Sequence, residues 1–242
     1  MEMAEGCKVV VVIPTYKEAK NIANVIQSVF NTGLENLKVL VVDDGSPDGT
    51  AEIVAEISKK DNRVMLLNRG AKKGLGSAYH DGFRLALQQQ PEAIVSMDAD
   101  GSHPAELLPR LIASLEKGAD AVIASRYVEG GKWAAGFRRM IVSRGANLLA
   151  RIATGLKLRD MTSGYRAYSA RAVEHLLEKP FERGYVFQVE LAYRLSKAGF
   201  KIDEVPFIFK ERKEGRSKLS SKEIILFFIW CVKTFLKRLF KR

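Results

Sequence analysis

Six short apolar runs, each breaking off into a polar turn and most followed by a helix-spaced pattern, limit what this chain can fold into. Val9 to Ile13, Val39 to Val42, Val64 to Asn68, Ala93 to Met97, Ala121 to Ser125 and Val205 to Phe209 are short, and several are rich in β-branched residues, so they read as strands. Their apolarity is continuous rather than alternating, so both faces of each strand must be covered. That is the pattern of a mostly parallel sheet between two helical layers. Between the runs, Ile22, Val25, Ile26 and Val29 recur at helical spacing. Gly74-Leu75-Gly76-Ser77-Ala78 opens a helix running to about Gln90, and further helices are expected over roughly Gly136 to Thr154 and Phe187 to Gly199. Asp48 or Thr50 is available to cap the helix after the second run.

In open sheets of this class, ligands bind beyond the carboxyl ends of the strands. Pro14, Tyr16, Glu18, Asp44, Asp98 and Asp100 all follow such ends and fall along one rim. Asp98-Ala99-Asp100 is the most chemical of these segments. Two carboxylates one residue apart suit a hard divalent cation such as Mg²⁺ or Mn²⁺, which takes one or two carboxylates and completes its shell with phosphate oxygens. Taken alone, Asp-x-Asp also describes a solvated turn; Pro14 and Tyr16 could merely shape a turn, and Glu18 could serve the following helix. Asp43 reads as the residue that orders its own turn. The six candidates gain meaning from lying on one edge.

With 242 residues, 47% hydrophobic and 28% charged, the chain can build one sizeable core. Cys7 and Cys231 lie near opposite ends, and His80, His103 and His175 are scattered, so neither a disulfide framework nor a zinc site is indicated and a reducing compartment is the default. Met1 to Gly6 is polar and Val9 to Ile13 is too short for a secretory core. No apolar run approaches the ~20 residues of a membrane span.

A net charge of +11 points to an anionic partner: nucleic acid, acidic lipid or a phosphorylated metabolite. The charge thickens toward the end, at Arg138, Arg139 and Arg144 and again over Lys210 to Lys222. From Lys222 onward, Ile225, Phe228, Ile229, Val232, Phe235, Leu236, Leu239 and Phe240 recur at helical spacing, with Lys233, Lys237 and Lys241 on another face. This is a basic amphipathic helix suited to a membrane interface or to small membrane partner subunits, with Leu226 and Trp230 interrupting its polar side in a way that fits partial embedding. Packing on its own domain is the competing account. The expected division is therefore a domain over 1–219 and an interfacial helix over 220–242. The catalytic body would sit peripherally on the cytoplasmic face of a membrane, with no transmembrane helix.

Other segments carry weaker signals. Gly74-Leu75-Gly76 is half a dinucleotide fingerprint, and a glycine-flanked helix start explains it better. Arg139 and Ser143, four apart, share a helix face. Asp160 to Arg166 is a turn-rich crossing, and Glu211 to Lys218, with Gly215, is a basic loop able to act as a lid.

Pro14-Thr15-Tyr16-Lys17-Glu18, Val42-Asp43-Asp44-Gly45-Ser46-Pro47-Asp48-Gly49-Thr50, Asp98-Ala99-Asp100, Ser125-Arg126-Tyr127 and Gly215-Arg216-Ser217-Lys218-Leu219 occur in that order. Together they resemble the dolichol-phosphate (polyprenol-phosphate) mannose synthases, inverting glycosyltransferases of family 2. The resemblance spans Val9 to Leu219. It implies an α/β, Rossmann-like GT-A fold and transfer of mannose from GDP-mannose to dolichyl or another polyprenyl phosphate. It further implies that Pro14, Tyr16, Glu18, Val42 and Asp44 hold the base and ribose, and that Asp98, Ala99 and Asp100 lie at the diphosphate. Asp98 and Asp100 would bind Mg²⁺ or Mn²⁺, with Ser102 standing where some relatives use a Gln ligand. Arg126, Arg139, Ser143, Arg212 and Lys218 would correspond to phosphate-binding groups; Arg126, Arg212 and Lys218 would reach the nucleotide-sugar, and Arg126, Arg139, Ser143 and Arg212 the acceptor phosphate.

Elementary chemistry agrees. Cleaving a nucleoside diphosphate from a sugar builds negative charge on the leaving group, which a metal and fixed cations stabilise. A sugar hydroxyl acceptor would need a general base, whereas a lipid phosphate is already anionic and needs arginines instead. Asp160 is the nearest carboxylate not otherwise assigned. The alternatives are a hexosyl transferase using UDP-glucose, another nucleotide-dependent enzyme on a similar sheet, and a non-catalytic module binding membrane or nucleic acid. The second would want a glycine-rich loop after the first strand, where Pro14-Thr15-Tyr16 stands. The third would have no use for Asp98 and Asp100, so nucleic acid is not an expected partner.

Overall fold

The computed structural model describes residues 8–134, 136–182, 184–210 and 221–240. Cys7, Arg212, Gly215 and Lys218 lie outside the described residues, as does the basic loop expected to act as a lid.

The chain runs β1 (Val9–Thr15), α1 (Ile22–Phe30), β2 (Leu37–Asp43), α2 (Thr50–Lys60), β3 (Val64–Asn68), α3 (Leu75–Leu87) and β4 (Ala93–Ser96). A 3₁₀ turn over Ala105–Leu107 leads into α4 (Leu108–Glu116), β5 (Ala121–Ser125), β6 (Lys132–Ala134) and α5 (Phe137–Thr154). Then follow β7 (Arg166–Ser169), α6 (Ala170–Leu177), α7 (Val186–Lys197), β8 (Ile202–Pro206), β9 (Ile208–Lys210) and α8 (Ser221–Phe240). Seven strands form one sheet in the order β3-β2-β1-β4-β7-β5-β8, and β6 pairs with β9 in a small parallel ribbon. All pairs of the main sheet are parallel except those of β7, which runs against both β4 and β5.

The continuous apolar runs are explained by two cores. Val9, Val11 and Ile13 pack into one cluster with α1 and α4, while Val10 and Val12 pack into the other with α3 and α6. Alternate residues of one strand thus serve opposite faces, and both faces are buried. Gly82 shows how closely the second layer approaches. A Cβ built on it would lie 2.6 Å from Val12 Cγ1 and 2.9 Å from Val42 Cγ2. Gly82→Ala is expected to push α3 off the sheet and cost about 1–3 kcal/mol, read as a lowered denaturant midpoint at unchanged m-value.

Three features depart from the sequence pattern. The expected strand Val205 to Phe209 is divided between β8 and β9, which belong to different sheets, with buried Phe207 as the corner. The strand β7 carries Arg166-Ala167-Tyr168-Ser169, which has no apolar run to announce it, and α6 begins directly at its end with Ser169 Oγ accepting from Ala172 N (3.3 Å). The helix expected to reach Gln90 ends at Leu87.

The helix α8 divides its residues. Phe227 and Trp230 pack on the cluster of Ala150, Met161 and Val189, and Cys231 and Thr234 are buried. Trp230, which interrupts the polar side of the sequence pattern, therefore packs on its own domain, with its ring edge-on to Tyr193 at 6.3 Å. Ile225, Phe228, Ile229, Val232, Leu236 and Leu239 remain exposed. Among the described residues, no helix is long and apolar enough to cross a membrane.

Candidate functional site

The ends of β1, β2, β4 and β5 meet at one edge, and because β7 is antiparallel, the crossing that precedes it reaches the same edge: Arg166 pairs with both Ser96 and Ile123. The turns after β1 and β2 are laced together. Asp43, wholly buried, accepts from Thr15 Oγ1 (2.8 Å), Ser46 N (2.8 Å) and Ser46 Oγ (2.6 Å). Lys17 N donates to Ser46 Oγ (2.9 Å), Glu18 N to Thr50 Oγ1 (3.0 Å) and Ala19 N to Asp48 Oδ2 (3.2 Å). Lys17 adopts φ 61°, a left-handed conformation held by these bonds across the two turns. Asp48 also accepts from Thr50 N (3.3 Å), so it serves the start of α2 as its position suggests. Glu18 Oε2 accepts from Asn21 Nδ2 (3.0 Å) at the start of α1.

Pro14 and Tyr16 are half-buried on this rim, and Lys72 Nζ lies 4.2 Å from the Tyr16 ring centroid. Asp44 is buried and already engaged. Its Oδ1 accepts from Arg69 Nη1 (2.6 Å), and its Oδ2 from the backbone N–H groups of Lys73 (3.1 Å) and Gly74 (2.9 Å). Arg69 Nη2 also donates to Ser77 Oγ. Asp44 therefore fixes the loop before α3 as well as lining the rim. Val42 and Ala99, grouped with these residues by sequence, are themselves buried.

Asp98 and Asp100 follow β4 directly. The Asp98 backbone N–H donates to His103 Nδ1 (3.0 Å), so the neutral ring carries its proton on Nε2, which lies 3.7 Å from Asp98 Oδ2. The His103 ring stacks on Tyr165 with centroids 4.8 Å apart, and Tyr165 Oη donates to Pro104 O (3.0 Å). Tyr79 Oη sits 3.5 Å from Asp98 Oδ1. Burial, reinforced by the Asp98 charge, pushes the Tyr79 phenol well above its ordinary value, so it stays a neutral donor. Asp100 Oδ1 accepts from Ser102 N (3.0 Å) and Ser102 Oγ (2.6 Å). Among the described residues, no three His, Cys, Asp or Glu side chains are grouped to hold a metal by themselves. Two carboxylates with a neighbouring hydroxyl supply only part of an octahedral shell. That set fits a Mg²⁺ or Mn²⁺ ion arriving with phosphate oxygens.

Beyond β5, Arg126 is gripped by Asp160 in a bidentate pair, Nε to Oδ2 at 2.7 Å and Nη2 to Oδ1 at 2.6 Å. Asp160 Oδ2 also accepts from Arg126 N (2.9 Å), and Arg126 Nη2 donates to Thr162 Oγ1 (2.8 Å). Burial opposes charge on Asp160 but is outweighed by the Arg126 charge and its hydrogen bonds, so the carboxyl titrates below its ordinary value. Arg126, Arg139 and Ser143 line a cavity of about 520 Å³ together with Asp98 and Ser102. The rest of the lining from α5 and α8 is largely apolar, with Val142 and Leu149 of α5 and Ile224, Phe227 and Phe228 of α8, and it includes the Glu223 carboxylate.

The geometry has counterparts among known proteins. Residues 10–177 match the model of glycosyl transferase family 2. The chain belongs to that family. This family 2 glycosyltransferase is 41% identical over 222 residues to the polyprenol monophosphomannose synthase of Mycolicibacterium smegmatis, covering 90% of this chain and 83% of that protein. It is 42% identical over 219 residues to the undecaprenyl-phosphate mannosyltransferase of Micrococcus luteus, covering 88% of each. The glucosyl-3-phosphoglycerate synthase of Mycobacterium tuberculosis, solved with Mn²⁺, UDP-glucose and phosphoglyceric acid, shares the fold at TM-score 0.69. That match has 22% identity and covers 96% of this chain and 80% of the other.

Three contributors to this transferase's site take their roles from the fold rather than from local sequence. His103 looked scattered because its contacts come from the fold. Asp160 looked like a spare carboxylate and is the partner of Arg126. Arg166, 2% exposed, donates to the carbonyls of Met161 (2.6 Å), Ser163 (2.7 Å) and Gln188 (2.7 Å), fixing the crossing that carries Asp160 and Thr162. Only Asp160 left a sequence signal, as a lone acid in a turn-rich segment.

Proposed function

We propose that this enzyme transfers mannose, with inversion, from GDP-mannose to dolichyl or another polyprenyl phosphate, peripherally at the cytoplasmic face of a membrane. The observation that carries the reading is the cavity itself, polar at Asp98, Ser102, Arg126, Arg139 and Ser143 and largely apolar where Val142 and Leu149 of α5 face Phe227 and Phe228 of α8. A lipid phosphate has that same division, with an anionic head and a hydrocarbon tail. The names of the two relatives, which act on polyprenol and undecaprenyl phosphate, support the same acceptor class.

Asp98 and Asp100 would hold Mg²⁺ or Mn²⁺ at the donor diphosphate, with Ser102 beside them. When bound, the ion supplies Lewis-acid stabilisation of the departing diphosphate. The rim of Pro14, Tyr16, Glu18 and Asp44 would receive the nucleoside. Arg126, oriented by Asp160 and Thr162, would align the acceptor phosphate with help from Arg139 and Ser143. Asp160 is committed to Arg126 and so is unsuited to removing a proton; an acceptor phosphate, already ionised near neutral pH, needs none removed. Arg212 and Lys218 are assigned to the same phosphates by family resemblance. The exposed side of α8 would meet the membrane or small membrane subunits.

The test is transfer of label from GDP-[¹⁴C]mannose to dolichyl phosphate with Mg²⁺ or Mn²⁺, beside UDP-glucose as rival donor. Metal-dependent label in the lipid phase from GDP-mannose alone supports the reading. Label from UDP-glucose alone would replace the donor and keep the acceptor. No lipid-linked product from either donor, in detergent and in vesicles, would overturn it.

A further inference from the structure

A second cavity of about 510 Å³ lies on the other side of Arg126, between α5 and the loop after β5. Arg126, Arg144, Arg151 and Arg159 line it, and among the described residues none of its lining side chains is acidic. Arg126 is neutralised by Asp160; the guanidiniums of Arg144, Arg151 and Arg159 have no ion-pair partner among the described residues. Arg144 is steadied over the Tyr127 ring, 5.8 Å from its centroid. Three arginines with no ion-pair partner among the described residues, converging on one concavity, suit a phosphate oxygen cluster, which a guanidinium grips through its fork.

The surroundings name the source of the phosphate. At about 100° per residue, Phe137, Ile141, Leu148 and Ile152 fall within about 60° on α5, and Arg144 and Arg151 run along one border of that stripe. These four apolar residues are exposed by 70%, 54%, 52% and 52%. The neighbouring helix α8 adds Ile225, Phe228 and Ile229, also exposed. A soluble phosphate would need only the arginines. An apolar stripe bordered by cations matches a bilayer surface, with side chains entering the acyl boundary while the arginines stay at headgroup level.

We infer that the cavity between α5 and the loop after β5 is a binding site for the phosphate of an anionic phospholipid, distinct from the cavity assigned to the acceptor. The inference rests on the membrane-attachment reading only in requiring a bilayer, and its readout needs no transfer reaction. The full chain is floated with phosphatidylcholine vesicles, alone or containing phosphatidylglycerol. The wild type is compared with the triple variant Arg144→Gln/Arg151→Gln/Arg159→Gln and with a control triple, Lys60→Gln/Lys117→Gln/Lys179→Gln, which removes exposed charges from other elements. The expected result is tighter binding to the anionic vesicles, weakened about tenfold to a hundredfold in the arginine variant, less than threefold in the control, and diminished by salt. Turnover of detergent-dispersed acceptor should be unchanged in the arginine variant.

Equal binding of neutral and anionic vesicles would leave surface attachment standing and overturn the headgroup site. Equal losses in both triples would overturn it as well, by reducing the effect to bulk charge. So would soluble glycerol phosphate binding the wild type in calorimetry as tightly as the vesicles do, because the ligand would then be a free phosphate.

Discussion

Replacing Asp160 by alanine is expected to destabilise the protein by about 3–5 kcal/mol, one of the largest single-residue effects in the molecule. Arg126 and Asp160 have side chains only 9% and 0% exposed, so removing the carboxylate strands a guanidinium that water cannot reach well. Asp160 also accepts from the Arg126 backbone, Asn147 Nδ2 and Thr162 Oγ1, and all three donors would lose that acceptor. Arg126→Met combined with Asp160→Leu should cost clearly less than the single change, because the double variant leaves no unpaired charge. Denaturant midpoints at constant m-value test both statements. A loss below 1 kcal/mol for Asp160→Ala would show that the pair is far more hydrated than its burial indicates.

The pH dependence of this pair follows from the lowered pKa. Asp160 titrates below the ordinary 3.8, so its contribution is fully present above about that pH and is lost as pH falls through the lower folded value. Between pH 5 and 8, the difference in stability between wild type and Asp160→Asn should therefore stay constant. A difference that shrank across that interval would contradict the lowered pKa.

Much of the fold was readable in advance because it rests on local chemistry. Val9 to Ile13 and Val39 to Val42 are apolar at every position because β1 and β2 are covered on both faces, and that leaves a plain trace in the chain. The rim was readable for the same reason, since Asp43, Ser46 and Asp48 bond within a few residues of one another and across two adjacent turns. The strand β7 left no such trace. Its Arg166 is buried among three backbone carbonyls and its Tyr168 is buried in the second core, so the identity of its residues is set by the crossing it anchors. Likewise, nothing near Arg126 in sequence announces Asp160, which is 34 residues away. Pairing across that separation is a property of the antiparallel insertion.

Asp100→Asn should lower kcat by about a thousandfold or more, with the fold intact, if Asp98 and Asp100 hold the ion at the donor diphosphate. Asn retains an Oδ1 acceptor for Ser102 N and Ser102 Oγ, so the local turn survives while the charge that would face the cation is gone. The decisive readout is independent of turnover. Free Mn²⁺ gives a strong paramagnetic resonance signal, which the wild type should lower beyond what the nucleoside diphosphate alone does, whereas the variant should add little to that decrease. Ser102→Ala separates the two ways of reading its hydroxyl. In the structure that hydroxyl donates its proton to Asp100, which makes it a support for the carboxylate and a poor ligand in its own right. Its removal should cost less than tenfold in kcat, with Mn²⁺ binding nearly preserved. A Ser102→Ala variant as impaired as Asp100→Asn in both assays would make the hydroxyl a direct ligand. Asp100→Asn with normal Mn²⁺ uptake would remove Asp100 from the ion and leave Asp98 as the only carboxylate of the pair still able to hold it.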